Sequence, residues 1–117
     1  VDRYSAIPRS AYSIVTLDEA LNMSSGIVFI FAEWSGVSLR AWSVLTKLVA
    51  PMLPLPSIRV VDADDLPPEA TRARLNELPQ GKGEIYWLKE GQIFAKQASL
   101  EESDRPRVMQ CLRALVS

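Results

Sequence analysis

Six consecutive apolar residues, Ile27-Val28-Phe29-Ile30-Phe31-Ala32, constrain this chain more than any other stretch of it. The run does not alternate with polar residues, and it is rich in β-branched and aromatic side chains. Those properties suit a central strand covered on both faces, as parallel strands are. Such a strand requires helices above and below it, and the flanking sequence supplies them. From about Ser38 the residues Trp42, Leu45, Leu48, Val49 and Met52 keep helical spacing, and Pro51 and Pro54 bend or end that helix.

The remaining elements follow from similar signals. Ala11–Val15 reads as a first strand. Thr16-Leu17-Asp18-Glu19 then offers a capping box that opens a short helix to about Met23. Ile58–Val61 reads as another strand, leading into Asp62-Ala63-Asp64-Asp65. Pro67 and Pro68 fit the first turn of a helix that runs through Leu75 to about Leu78. Glu84–Leu88 and Gln92–Lys96, joined by Lys89-Glu90-Gly91, form an antiparallel hairpin pattern. A last helix begins near Ser103, with Pro106 in its first turn and Val108, Cys111, Leu112 and Leu115 on one face. The order β-α-β-α-β-α-β-β-α predicts an α/β fold.

At 117 residues the chain fits one domain, with residues 1–10 as an N-terminal extension. A chain of this length buries enough surface to need neither a disulfide nor a metal. The net charge is -1 with acids and bases interspersed, and no basic cluster points to nucleic acid. No apolar run approaches the ~20 residues that span a bilayer, and the first residues lack the layout of a signal peptide. A single cysteine allows no internal disulfide and fits a reducing cytoplasm. Histidine is absent, which removes Ser-His-Asp and Cys-His nucleophile arrangements and most zinc sites. Asp62, Asp64, Asp65 and Glu69 do not complete a calcium-loop pattern and read as strand-end and helix-capping residues. No cofactor and no metal are expected.

With that element order, Phe31-Ala32-Glu33-Trp34-Ser35-Gly36-Val37-Ser38 resembles thioredoxin, whose signature is a buried strand, an aromatic, Ala and then Trp-Cys-Gly-Pro-Cys opening a helix. Trp34 and Gly36 match in place, Ser35 and Ser38 occupy the two cysteine positions, and Val37 replaces the proline. Val60-Val61-Asp62-Ala63-Asp64 is similar to the family's third strand, and Tyr86-Trp87-Leu88-Lys89-Glu90-Gly91 to its strand ending in Lys-x-Gly. The resemblance spans about Ala11 to Val116. It implies a three-layer α/β/α sandwich around a mixed sheet of about five strands with about four helices.

The resemblance also shows what is missing. The family's cis-proline falls at Gly83, counted back from the hairpin glycine Gly91, and Pro79 serves only if the intervening loop is longer. A trans bond is expected at Gly83, because cis bonds outside X-Pro cost ~2.5–4 kcal/mol. The buried aspartate that assists proton transfer falls at Phe29. Disulfide exchange needs a thiolate, and a serine hydroxyl at the same helix start neither ionises near neutral pH nor forms a mixed disulfide. Dithiol–disulfide exchange at this turn is therefore excluded.

Three functional expectations remain. The first is a non-redox protein-binding, chaperone-like or scaffold module whose contact surface joins Trp34, Ser35, Gly36, Val37 and Ser38 to Gly83 and Glu84. The second is an enzyme of different chemistry, with Ser35 and Glu84 within hydrogen-bond reach of each other in a concave pocket. The third is an oligomeric structural domain that works through an edge strand. Within the site, Ser35 and Ser38 read as helix caps, Trp34 as an exposed contact aromatic, and Trp42 and Trp87 as core. Glu84 reads either as an acceptor for the serine hydroxyls or as a solvated strand-start residue. Cys111 reads as a buried, inert thiol with no cation beside it.

Overall fold

The computed structural model describes residues 12–51 and 56–116. Its elements are β1 (Tyr12–Ile14), α1 (Leu17–Leu21), β2 (Gly26–Phe31), α2 (Gly36–Val49), β3 (Ile58–Asp62), α3 (Pro68–Leu75), β4 (Ile85–Lys89), β5 (Gln92–Gln97) and α4 (Arg105–Val116). Short 3-10 turns at Ala63–Asp65 and Glu102–Asp104 precede α3 and α4. The expected extension 1–10, the strand start at Ala11, and Met52 and Pro54 lie outside the described residues.

The five strands form one sheet in the order β1-β3-β2-β4-β5. β2 is its middle strand, and every residue of Gly26–Phe31 is buried. It is parallel to β3 on one side and antiparallel to β4 on the other, so the sheet is mixed. The unbroken apolar run thus reflects coverage of both faces rather than parallel pairing on both sides. One face of the sheet, through Ile27, Phe29, Phe31 and Trp87, packs on Trp42 and Leu45 of α2 and on Val108 and Leu112 of α4. The other, through Val28, Ile30, Tyr86 and Leu88, packs on Leu17, Ala20 and Leu21 of α1 and Leu75 of α3. Helices on both sides of a central sheet make the three-layer arrangement.

Local signals set the helix ends. The Thr16 hydroxyl accepts from the Glu19 N–H at 3.2 Å, and the Glu19 carboxylate closes the capping box onto the Thr16 N–H. α1 ends at Leu21, two residues before Met23. α2 starts at Gly36 rather than Ser38, because Ser35 is its N-cap. α3 stops at Leu75, not Leu78, since Asn76 adopts a left-handed conformation (φ 61°) and hands its N–H to the Arg72 carbonyl. α4 starts two residues after Ser103; a second capping box, Glu101 with Asp104, organises the 3-10 turn ahead of it. Among the described residues no helix is long and apolar enough to cross a membrane.

Candidate functional site

The turn from β2 into α2 is built by two serines with different tasks. Ser35, the N-cap, accepts through Oγ from the Ser38 N–H at 3.3 Å. Ser38 is fully buried, and its Oγ accepts from the Ala32 N–H at 3.0 Å. That second bond ties the end of β2 to the first turn of α2 and satisfies a backbone donor that no water reaches. Both serines therefore serve the local fold.

Gly83 closes one side of this turn. A Cβ at that position would stand 2.6 Å from the Ala41 Cβ, 3.2 Å from the Ser38 Cα and 3.5 Å from Phe29. Gly83 itself has φ 67°, a left-handed conformation that glycine adopts without strain. The loop 81–83 thus faces the Trp34–Ser38 turn, as the resemblance implies, with Gly83 seated against α2. Beneath it, at the place of the family's buried acid, Phe29 packs edge-on to Trp42 with ring centroids 5.1 Å apart, and Phe31 stacks on Trp42 at 6.3 Å. Such aromatic contacts contribute roughly 0.5–1.5 kcal/mol beyond their burial. The floor of the site is apolar.

Glu84 departs from both expectations for it. It is neither solvated, being only 4% exposed, nor an acceptor for the serines. Its Oε2 accepts from the Gln80 N–H at 2.8 Å and its Oε1 from the Lys82 N–H at 3.2 Å. The carboxylate folds the loop around itself, and charge-assisted bonds to backbone donors offset its burial. Two further bonds fasten the same loop, from the Ile30 N–H to the Glu84 carbonyl and from the Ser99 N–H to the Lys82 carbonyl. Both Glu84 oxygens are engaged by loop amides, and among the described residues no hydrogen bond joins Ser35 to Glu84.

Trp34 is 65% exposed and lies between two anchors. Its Nε1–H donates to Asp64 Oδ1 at 3.0 Å, and its six-membered ring lies over Gly81, where a Cβ would run into the ring edge. Val37 and Leu39, at the start of α2, are also exposed. Sequence reasoning missed the Asp64 contact. The trailing acidic turn after β3 was visible, but its reach across 30 residues to an indole was not.

Beside the loop lies a cleft of about 310 Å³, lined by Glu77, Leu78, Gln80, Lys82, Glu84, Lys96 and Ala98. Glu77 accepts from the Tyr86 hydroxyl at 3.0 Å and pairs with the Lys96 ammonium. The bond to Lys96, chiefly, holds the Glu77 carboxyl below its usual range, with Tyr86 adding to it against partial burial. Burial first, then the Glu77 carboxylate, push the Tyr86 hydroxyl well above its usual range.

Trp42 and Trp87 are core residues, and the Trp87 indole donates to Gln97 at 2.9 Å. Cys111 is half-buried against the core, and burial pushes its thiol up. A cation does stand beside it: Arg107, one helical turn earlier, draws the thiol back down by a smaller amount. Among the described residues no cluster of acidic and sulfur side chains is arranged to hold a metal.

No protein-family model matches the chain, and no curated protein matches its sequence. Solved structures do match its shape. Thioredoxin O2 from Arabidopsis thaliana, in the oxidized state, superposes with a TM-score of 0.69 at 18% identity, covering 91% of this chain and 97% of that one. The thioredoxin Mala s 13 of Malassezia sympodialis gives 0.64 at 18% identity over 89% and 93%. Mitochondrial thioredoxin 3 of Saccharomyces cerevisiae gives 0.62 at 18% identity over 93% and 99%. The likeness runs nearly the full length of each and lies in the architecture: the chain has a thioredoxin-like fold.

Proposed function

We propose that this chain is a non-redox, thioredoxin-fold binding module that holds another protein through the surface formed by Trp34, Ser35, Gly36, Val37 and Ser38 with the loop carrying Gly83 and Glu84. One observation carries the reading: an exposed tryptophan is held by Asp64 over a turn whose two serine oxygens both accept backbone hydrogen bonds. Rigid aromatic surface is what protein contacts favour, and no reactive group stands next to it. Thiol chemistry has no nucleophile at this turn, because oxygen stands where sulfur is needed. A lone, half-buried thiol elsewhere suits a reducing compartment such as the cytoplasm.

The decisive experiment is affinity capture with the wild-type chain and with Trp34→Ala, followed by mass spectrometry and by mapping of the cross-linked residues. A partner captured by wild type, cross-linked at this turn and lost with Trp34→Ala is the expected result. Equal capture by both proteins would remove the surface from consideration.

A second reading, self-association through β5, has an observation of its own. β5 is an edge strand, and Ile93 and Phe94 on it are 40% and 42% exposed. The register passes from Trp87↔Ala95 to Leu88↔Ile93, so Phe94 is the extra residue of a β-bulge. Bulges at edges hinder strand addition, which makes this the weaker reading. Sedimentation velocity of wild type against Phe94→Ser separates the two.

A further inference from the structure

The indole of Trp34 is held at two points before any partner arrives. Asp64 holds its Nε1–H at 3.0 Å, and Gly81 admits the far edge of its ring. A partner that lands on it therefore incurs little further side-chain ordering cost. The carboxylate also does something electronic. By accepting the indole proton's hydrogen bond it leaves more electron density on the ring, whose faces already carry negative potential. Asp64 does not act by itself. Asp62 accepts from the Asp64 N–H at 2.9 Å, and Asp65 completes the same turn, exposed to solvent. Carboxylates thus gather on the Asp64 side of the indole. Among the described residues no ion pair is formed to Asp62, Asp64 or Asp65. Arg40 on α2 pairs with Glu101 at 3.5 Å, and Lys82 lines the cleft with Glu77 and Glu84. Val37, in the first turn of α2, adds an exposed aliphatic side chain to the turn that carries Trp34.

We infer that the partner presents an arginine or lysine to this surface, its cation laid over the Trp34 indole and close to the Asp62–Asp65 carboxylates, with an apolar neighbour of that residue resting on Val37. The inference rests on the reading of this face as a protein contact and names the chemistry of what binds there: a short basic and apolar segment. Cations are attracted to tryptophan faces, and adjacent carboxylates add to that attraction. An acidic segment meets like charge instead. Arginine, planar and weakly hydrated, stacks on an indole better than lysine does.

The test uses the full chain, labelled with nitrogen-15, and follows the indole N–H signal of Trp34, identified by its loss in Trp34→Phe. The probes are four peptides in which leucine alternates with arginine, lysine, glutamate or citrulline; citrulline keeps the shape of arginine without its charge. The arginine peptide is expected to shift the Trp34 signal saturably, the lysine peptide less, and the other two not at all. Binding should weaken as salt is raised to physiological strength. Asp65→Asn, and Asp64→Asn whose side-chain oxygen still accepts from the indole, should each weaken binding by about two- to fivefold. A Trp34 signal that stays still at millimolar arginine peptide, a citrulline or glutamate peptide that binds as well as arginine, or indifference to both aspartate changes would overturn the inference. The outcomes stay distinct from those of the broader reading. Capture lost with Trp34→Ala but unmoved by the aspartate changes keeps the protein contact and removes the cation; capture unmoved by Trp34→Ala removes both.

Discussion

Gly83 and Ala41 approach so closely that a single methyl group between them would have no room, at 2.6 Å from the Ala41 Cβ. The contact joins the loop before β4 to the first turns of α2. It makes the shape of the Trp34–Ser38 surface depend on a residue nearly fifty positions later in the chain.

Gly83→Ala should therefore be strongly destabilising. The left-handed backbone disfavours any side chain, and the added methyl must push α2 away from β2. Together these effects cost about 2–4 kcal/mol, read as a fall in the urea midpoint at unchanged slope. An unchanged midpoint would mean that the loop does not press on α2.

Ser38→Ala removes the acceptor for the buried Ala32 N–H and should cost about 1–3 kcal/mol. Ser35→Ala removes an N-cap and should cost about 1 kcal/mol. Thermal unfolding of the two variants tests the order. If Ser35→Ala proves the more damaging, the buried bond is not what closes the turn.

Glu84→Gln keeps one oxygen acceptor and replaces the other with an amide nitrogen, which points a donor at a donor. A loss of about 1–3 kcal/mol is expected. The indole signal of Trp34 should shift as well, because Gly81, against which the ring rests, lies between the two amides that Glu84 holds. A carboxylate that merely faced water would show neither effect.

Glu77 gives a pH-dependent contribution whose sign follows from its partners. Its folded pKa lies below its ordinary value of 4.5, so its share of stability is present above that value and disappears as pH falls through the lower, folded pKa. The Lys96–Glu77 pair is partly open to solvent and screened, which keeps the contribution small. Carbon-13 titration of the carboxyl should show its pKa rising toward the ordinary value in Lys96→Met, and rising less in Tyr86→Phe. The reverse order would mean that the tyrosine is the dominant partner.

Much of the architecture was legible because it is written in local patterns. The run Ile27–Ala32 could only be a covered strand, and Thr16 with Glu19 marked a helix start that the structure reproduces bond for bond. Ends set by a single backbone state were harder. Asn76 stops α3 with a left-handed dihedral that helical periodicity does not encode. The site was legible where it followed the turn and illegible where it depended on distance in sequence. Glu84 looked like a surface acid because nothing in Gly81-Lys82-Gly83-Glu84 states that the loop curls around it. The Trp34–Asp64 bond joins residues 30 apart, beyond any periodic signal. Arg107 was a miss of another kind: its four-residue offset from Cys111 puts it one helical turn away, so the spacing carried a signal that the reading of Cys111 as a thiol without a neighbouring cation overlooked.

The hydrogen bond from the Ala32 amide to the Ser38 hydroxyl has a wider implication. A pair of thiols at these two positions would switch between a bridged and an open form, and the outline of the turn would follow the electrochemical poise of its surroundings. Two hydroxyls have no such alternation. The outline of this turn therefore does not answer to thiol oxidation, under oxidative stress or in its absence.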